Sequence, residues 1–206
     1  MDRRSTYDLD RTLALSDGII AFSMTLMAIL VYMPNPNEVP DSQFLNALIA
    51  KTLPQAVIFC YTFIVVALYW AVHNKLLKQI VVCDGKVAMI NIIFLLCIVL
   101  LAITSAMFGD YNQNKWALTI FALNMSAAGF ILVWLWHYSI SKRYHQRRMS
   151  DKERDYALIV KMVTPSIFLA SVPIAFYNVE LAELFWLLIP IVQLYLNRID
   201  PSQGRQ

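Results

Sequence analysis

Long apolar runs separated by short polar segments dominate the pattern of this 206-residue chain. Six such blocks are continuous and do not alternate every second residue, which favours helices over barrel strands. The first block, residues 12–33, has 22 residues. At about 1.5 Å per residue that length crosses a hydrocarbon core of roughly 30 Å. The pattern therefore predicts an all-α membrane protein with six transmembrane helices in a single domain, residues 1–206.

The polar segments between the blocks set the expected bounds of the spans. Residues 34–42, PNPNEVPDS, contain three prolines and two asparagines, so the first helix has to stop there. Lys51 and Pro54 indicate a short interfacial segment before the second span. The fifth block carries Lys161 and two prolines and is the weakest helix candidate. We expect spans at about 12–33, 53–76, 86–108, 116–140, 156–177 and 181–196.

Composition supports a membrane protein and excludes several other classes. The chain is 59% hydrophobic and only 15% charged, which is unusual for a soluble domain. Its cysteines, Cys60, Cys83 and Cys97, form no CxxC pair and no cluster with histidines, so we expect neither a disulfide scaffold nor a zinc site. No cofactor and no enzymatic nucleophile–base arrangement is indicated. The first block lacks an A-x-A cleavage signature, which favours an uncleaved first span.

The basic residues predict the orientation. With the loops numbered alternately, two basic residues, Lys51 and Lys115, fall on one side, and fourteen fall on the other. Those fourteen are Arg3, Arg4, Arg11, Lys75, Lys78, Lys86, Lys142, Arg143, Arg147, Arg148, Lys152, Arg154, Arg198 and Arg205. Basic loops stay in the cytoplasm, so we expect both termini there. This asymmetry also explains the net charge of +3 without nucleic acid as a partner.

Polar side chains inside three spans are predicted to meet at one level of the membrane. Asp17 is early in span one, Trp70 and His73 are late in span two, and Asn91 is early in span three. Asp17 has no basic neighbour one turn away, and Arg11 is about 120° from it around the helix. Its partner therefore has to come from another helix, with His73 or the Trp70 N–H expected. The cluster either only joins helices or, through His73, also responds to pH.

A stripe of apolar positions follows Asp17 on the first span. Phe22, Thr25 or Leu26, and Ile29 recur at helical spacing and mark one face. Packing against lipid or against a protein core would produce the same pattern, so the stripe alone does not identify a function.

These motifs resemble those of the transmembrane-175 family, the endosomal/lysosomal potassium channels and their prokaryotic relatives. Residues 11–17, RTLALSD, are similar to the RxxxFSD signature of that family, with Leu15 in place of the motif phenylalanine. The Tyr69-Trp70-x-x-His73 end of span two and the early Asn91 are also similar. The motifs lie in about the first 95 residues, and the six-span topology covers the whole chain.

The resemblance implies a potassium-permeable channel in a cell membrane, the plasma or inner membrane of a prokaryote. It implies a homotetramer in which the first span lines a pore with a hydrophobic constriction and no TVGYG filter. Phe22 would form the narrowest ring, where relatives usually carry a smaller aliphatic residue, followed by Thr25 or Leu26 and then Ile29. Potassium would pass transiently, without a resident metal. The inter-helix polar network would comprise Arg11, Ser16, Asp17, Trp70, His73 and Asn91.

A secondary transporter is the alternative. In that hypothesis Asp17, His73 and Lys161 relay a proton or an ion through the bilayer. The chain shows no inverted internal repeat and no pair of broken helices, which are typical of such transporters. Lys161 lies only a turn or so inside the fifth span, so snorkelling toward the cytoplasmic surface is its simpler interpretation.

Overall fold

The computed structural model describes residues 7–145 and 150–198, with the side chain of Asn197 left out. Over these residues the chain is helical, and six helical stretches are long and apolar enough to span a membrane. The α-helices are α1 (Leu9–Ile29), α2 (Phe44–Ala47), α3 (Leu53–Gln79), α4 (Gly85–Asp110), α5 (Lys115–Ser141), α6 (Asp151–Tyr177), α7 (Val179–Phe185) and α8 (Leu188–Arg198). We call the end of the bundle that carries Leu9 the inner end and the opposite end the outer end.

α1 begins and ends earlier than the 12–33 expected from the sequence. Asp8 is its N-cap, and one carboxylate oxygen accepts the backbone N–H groups of Asp10 at 2.9 Å and Arg11 at 3.4 Å. The helix ends at Ile29, and the Tyr32 N–H donates to the side chain of Gln55 instead of continuing the helix. The prolines that follow prevent the helix from continuing, and the chain turns at residues 36–38, where the Glu38 and Val39 N–H groups donate to the Asn35 carbonyl.

The second span is preceded by helical turns that merge with it. A 3₁₀ turn at Asp41–Gln43, α2, and a π-helical segment at Leu48–Thr52 lead without a break into α3. Pro54 is tolerated because it stands in the first turn of α3, where its missing N–H would have no helical partner. The interfacial segment expected from the sequence is therefore helical and continuous with the span.

α4 and α5 form the centre of the bundle. α4 packs against α1, α3 and α5, and α5 packs against α6. Asp84 caps α4 by accepting the Val87 N–H at 2.8 Å, and Asn114 caps α5 by accepting the Trp116 N–H at 2.9 Å. Aromatic and aliphatic side chains of α4 and α5 such as Phe94, Phe108, Phe121 and Met125 are fully buried.

α5 and α6 approach each other closely at Gly129. A Cβ added there would stand 2.8 Å from the Pro165 Cβ and 2.9 Å from the Tyr69 hydroxyl, so the absence of a side chain is what allows the approach. Pro165 lacks the N–H that would continue the helix, and its carbonyl accepts the Ser126 hydroxyl at 2.9 Å. The proline that weakens the fifth span as a helix is therefore a contact point of the bundle.

The last two spans differ in detail from their expected bounds. α6 begins at Asp151, before the expected residue 156, because Ser150 and Glu153 form a capping box. The sixth span is divided into α7 and α8 at Trp186 and Leu187. Pro190 accounts for the division, since its ring conflicts with the carbonyl four residues earlier, that of Trp186.

Some of the basic residues that predict the orientation lie outside the described residues, namely Arg3, Arg4, Arg147, Arg148 and Arg205. Among the described ones, Lys75, Lys78, Lys86, Lys142 and Arg143 lie at the inner end, near the start of α1. Short backbone contacts connect the segments there: the Tyr7 N–H donates to the Cys83 carbonyl at 2.8 Å, and the Val81 N–H donates to the Tyr144 carbonyl at 2.8 Å.

Candidate functional site

α1 has two different faces. Ser16, Ile20, Ser23 and Met27 are buried against α3 and α4. On the opposite face Leu15, Phe22 and Ile29 are exposed, to 57%, 66% and 78%. At about 100° per residue, positions 11, 15, 18, 22, 25 and 29 fall within about 40° of one line along the helix. We call this set the exposed stripe.

The structure distinguishes Thr25 from Leu26, which the sequence left as alternatives. Thr25 is exposed and lies on the stripe, and its hydroxyl donates to the Phe22 carbonyl at 2.8 Å. Leu26 is partly buried and packs against the hydrophobic core. Gly18 has no atom within 4 Å of the place where a Cβ would stand, so the stripe is open at this level.

A network of hydrogen bonds, which we call the inner anchor, fixes the first half of α1. The Trp70 indole N–H donates to Asp17 Oδ1 at 2.7 Å, and the Asn74 amide reaches the same oxygen at 3.5 Å. On the neighbouring position, Ser16 Oγ accepts the Asn91 amide at 3.0 Å and donates to the Thr12 carbonyl at 2.8 Å. α1 is thereby joined to both α3 and α4.

His73 completes the inner anchor. Its Nε2 lies 2.6 Å from Asn91 Oδ1, and its ring stacks on Phe94 with centroids 4.9 Å apart. Because the Asn91 amide oxygen can only accept, Nε2 carries the proton in this contact. Nδ1 is buried without a hydrogen-bond partner among the described residues. The arrangement suits a neutral imidazole that links α3 to α4.

Five of the six residues expected in the polar network, Ser16, Asp17, Trp70, His73 and Asn91, are thus brought together. The structure does not bring in Arg11. Its side chain is exposed and has no hydrogen-bond or ion-pair partner among the described residues. The helical geometry explains this, since Arg11 is about 140° from Ser16 and 120° from Asp17 and therefore heads the exposed stripe.

A second set of contacts, which we call the outer anchor, holds the other end of α1. The Gln55 side-chain oxygen accepts the Tyr32 N–H, and its amide donates to Asp110 Oδ1. Gln55 is buried, and a Cβ at Gly109 would stand 3.0 Å from its Cγ. One amide therefore joins the end of α1, the start of α3 and the end of α4. Sequence reasoning missed Gln55, for which the only signal was a polar residue directly after Pro54.

Lys161 does not contact the inner anchor in the described part of the chain. Its ammonium group lies 4.9 Å from the centroid of the Trp136 ring, a cation–π contact between α6 and α5. The relay of Asp17, His73 and Lys161 considered for a transporter therefore has no contact that would complete it. Nor do three His, Cys, Asp or Glu side chains converge as metal ligands anywhere in residues 7–145 and 150–198.

Comparisons with known proteins agree with the resemblance of the motifs. The family model described as "Endosomal/lysosomal potassium channel TMEM175" matches residues 11–101. The "Endosomal/lysosomal proton channel TMEM175" of Danio rerio is 22% identical over 191 residues, which are 91% of this chain and 36% of that protein. This chain therefore spans only about a third of that relative. A potassium channel of Chryseobacterium is 22% identical over 92% of this chain and 94% of its own length.

The fold also has a solved counterpart. A crystal structure described as a lysosomal potassium-selective channel TMEM175 homolog from Chamaesiphon minutus superposes with a TM-score of 0.78. The two chains are 18% identical, and the match covers 94% of this chain and 98% of the other. At that identity the likeness establishes the shared fold. Family model, relatives and fold together confirm that the chain resembles the transmembrane-175 family of ion channels.

Proposed function

We propose that four copies of this chain form a potassium-permeable cation channel in which α1 of each copy lines a central pore. One observation carries the proposal: α1 turns an exposed stripe away from its own subunit while both of its ends are anchored on the opposite face. A cyclic assembly would place the stripes of the copies around one axis. The relatives named as potassium channels support the choice of ion.

In this proposal the stripe supplies the constriction. Phe22 forms the narrowest ring, with the hydroxyl of Thr25 and the side chain of Ile29 further out. Apolar rings of this kind restrict ions through their diameter and by excluding water. Leu26 takes no part, because it packs into the core of its own subunit. The anchors set the tilt and rotation of α1 and do not touch the ion.

The orientation follows from the charges at the inner end. The basic residues there favour the cytoplasm for this end and, in this proposal, for both termini. Arg11 then lies on the stripe at the cytoplasmic mouth of the pore.

Reconstitution into proteoliposomes tests ion permeation. With a potassium gradient we expect current that follows the potassium gradient and needs no counter-ion. A reversal potential that tracks a proton gradient instead would assign protons as the permeant ion, as the name of the Danio rerio relative suggests. Flux that saturates and requires a coupled ion would contradict the channel.

The constriction is tested by Phe22→Ala. Removing the aromatic ring widens the narrowest level, so we expect single-channel conductance to rise several-fold. Ile103→Ala on α4, where the side chain is 61% exposed, is the matched control and leaves conductance unchanged. Equal conductance in Phe22→Ala and in the unaltered chain would show that Phe22 does not form the constriction.

Cysteine crosslinking tests whether the stripe faces other copies. In a Cys60→Ser background, which removes the exposed cysteine, Ile29→Cys is expected to form disulfide-linked dimers in membranes under mild oxidation. Ile103→Cys in the same background is the control and remains monomeric on denaturing gels. Crosslinking of the control with no crosslinking of Ile29→Cys would contradict a pore lined by α1.

A further inference from the structure

The segment between α3 and α4, residues 80–84, is held on two sides at the inner end of the bundle, and we call it the inner linker. On one side the Cys83 carbonyl accepts the Tyr7 N–H at 2.8 Å, within an antiparallel bridge of these two residues. On the other side the Val81 N–H donates to the Tyr144 carbonyl at 2.8 Å. The inner linker therefore connects the residue before the N-cap of α1 to the turn that follows α5.

The turn after α5 has a conformation that needs support from outside. Arg143 has φ of 58°, a left-handed conformation that is costly for a residue with a side chain. Such conformations persist where the surrounding contacts determine them. Two residues further on, His145 forms an antiparallel bridge with Ile80 of the inner linker. The contacts with the inner linker therefore hold a conformation that the turn alone would not favour.

One carboxylate, that of Asp84, fixes the inner linker against α5. Its Oδ1 accepts the Val87 N–H at 2.8 Å and so caps α4. Its Oδ2 accepts the Tyr138 hydroxyl at 2.7 Å and the Tyr144 hydroxyl at 3.1 Å. Hydrogen bonds to a charged acceptor are roughly twice as strong as those between neutral groups. Because Asp84 directly follows Cys83, these bonds also fix the carbonyl that holds the start of α1.

The first turns of α1 pack on the inner linker. Leu9 and Leu13 contact a buried cluster that includes Ile80 and Cys83, which are 2% and 1% exposed. Arg11 lies about 200° from both leucines around the helix, on the exposed stripe. The bonds of the inner anchor begin only about one turn later along α1. The first turn of α1 therefore depends on the inner linker for its position.

We infer that Asp84 is a positioning residue for the inner end of α1. By holding the inner linker against α5, it sets where the first turn of α1, and with it Arg11, stands. The bridge between Cys83 and Tyr7 transmits that position, and a displacement of the turn after α5 reaches α1 through the same contacts. In the channel proposed above, on which this consequence rests, the inner linker controls the cytoplasmic mouth of the pore.

Hydrogen exchange in nanodiscs tests the positioning without requiring conduction. Asp84→Asn keeps an oxygen for the cap of α4 and replaces the oxygen that accepts the two tyrosine hydroxyls. We expect the backbone amides of residues 7–13 to exchange about fivefold faster in this variant. Asp155→Asn is the matched control, because Asp155 is a 67% exposed carboxylate at the inner end that pairs with Arg154 outside these contacts. Exchange at residues 7–13 equal to that of the control would overturn the inference, and so would a rise spread evenly over all helices.

A second pair of substitutions keeps the carboxylate and the cap of α4 intact. Tyr138→Phe combined with Tyr144→Phe removes the two hydroxyls that Asp84 accepts. We expect the same faster exchange at residues 7–13, and this variant repeats the test if Asp84→Asn does not fold. Unchanged exchange in the double variant would overturn the inference.

A disulfide tests whether Asp84 acts through the bridge. Directly opposed residues of antiparallel segments have Cα atoms about 4.5–5.5 Å apart, a separation that a disulfide spans. In a Cys60→Ser background, Tyr7→Cys is therefore expected to form a disulfide with the native Cys83 under mild oxidation. Combined with Asp84→Asn, oxidation is expected to return the exchange of residues 7–13 to the rate of the unaltered chain, and reduction to reverse this. A disulfide that forms and leaves the exchange fast would overturn the bridge as the route.

Single-channel recording tests the consequence for conduction. Asp84→Asn is expected to shorten the mean open time about fivefold, because the inner end of α1 is no longer fixed. The single-channel amplitude stays unchanged, because Phe22 lies beyond the inner anchor, and Asp155→Asn alters neither quantity. An unaltered open time alongside faster exchange would overturn control of the pore mouth by the inner linker. An unaltered chain that passes no current, with the exchange effect present, would contradict the channel and support the positioning.

Discussion

The two ends of α1 are held in different ways. At the inner anchor, Ser16 and Asp17 use several donors from α3 and α4 within the apolar part of the bundle. At the outer anchor, the single amide of Gln55 connects the end of α1 to Asp110 near the surface. A polar group that loses its partner within the bilayer stays unpaired, whereas one near the surface is hydrated. The inner anchor is therefore expected to be the more costly to break.

Asn91→Leu is expected to have the largest effect. It removes the partner of both His73 and Ser16, and leaves the buried imidazole unpaired at a cost of about 1–3 kcal/mol. Unfolding in detergent, followed by denaturant titration, measures the loss.

Asn124→Leu is the control for that variant. Asn124 makes two longer bonds, 3.2 Å to the Cys97 carbonyl and 3.3 Å to the Thr104 hydroxyl, and neither involves α1. A loss in Asn124→Leu as large as in Asn91→Leu would remove the special role of the inner anchor.

Trp70→Phe is expected to have an intermediate effect. It keeps the ring and removes the N–H that reaches Asp17 at 2.7 Å, a bond to a charged acceptor worth about 1.5–3 kcal/mol when buried. Trp70 is partly exposed, and Asn74 remains near the same oxygen, so we expect about 1 kcal/mol. An unchanged free energy of unfolding would show that Asn74 alone holds Asp17.

Gln55→Leu is expected to cost less than either change at the inner anchor. Average inter-helix hydrogen bonds in membranes are worth about 0.6 kcal/mol, and water can hydrate Asp110 after the change. Its effect is expected mainly in conduction, as a broader distribution of single-channel amplitudes, because the outer end of α1 is no longer fixed. A stability loss greater than that of Asn91→Leu would reverse the comparison.

The smallest expected effect is a loss of stability at acid pH, through Asp84 at the inner end. Burial raises the pKa of Asp84, but bonds from the Val87 N–H and from the hydroxyls of Tyr138 and Tyr144 outweigh it and lower the pKa below its usual range. A lowered pKa in the folded state stabilises the fold above the pKa of the unfolded chain, and this stabilisation is lost as the pH falls through the folded value. Tyr138→Phe should therefore reduce the loss of stability between about pH 5 and pH 3. An identical pH profile would exclude this contribution.

The contrast between the anchors also explains how much the sequence could predict. Asp17, Trp70, His73 and Asn91 stand inside apolar runs, where each polar group requires a partner, and the alternation of spans brings them to one depth. Gln55 stands at the polar edge of a span, where water can hydrate an amide side chain. The sequence therefore did not indicate its contacts. Sequence periodicity also could not separate Thr25 from Leu26, because their difference depends on which side of α1 meets the core.

The bounds of the helices were likewise only partly predictable from the sequence. Proline clusters and caps indicate where a helix stops, but the residue at which it stops depends on contacts from elsewhere. The end of α1 at Ile29 depends on Gln55, 26 residues further along the chain. The early start of α6 depends only on local residues, the capping box of Ser150 and Glu153. It could therefore have been predicted from the sequence.

The close contact at Gly129 restricts how α6 can move along α5. Pro165 packs against the backbone of α5 where Gly129 leaves no side chain. Sliding by one turn would drive the proline ring into the side chain of a neighbouring position. We therefore expect Gly129 and Pro165 to fix the position of α6 along α5.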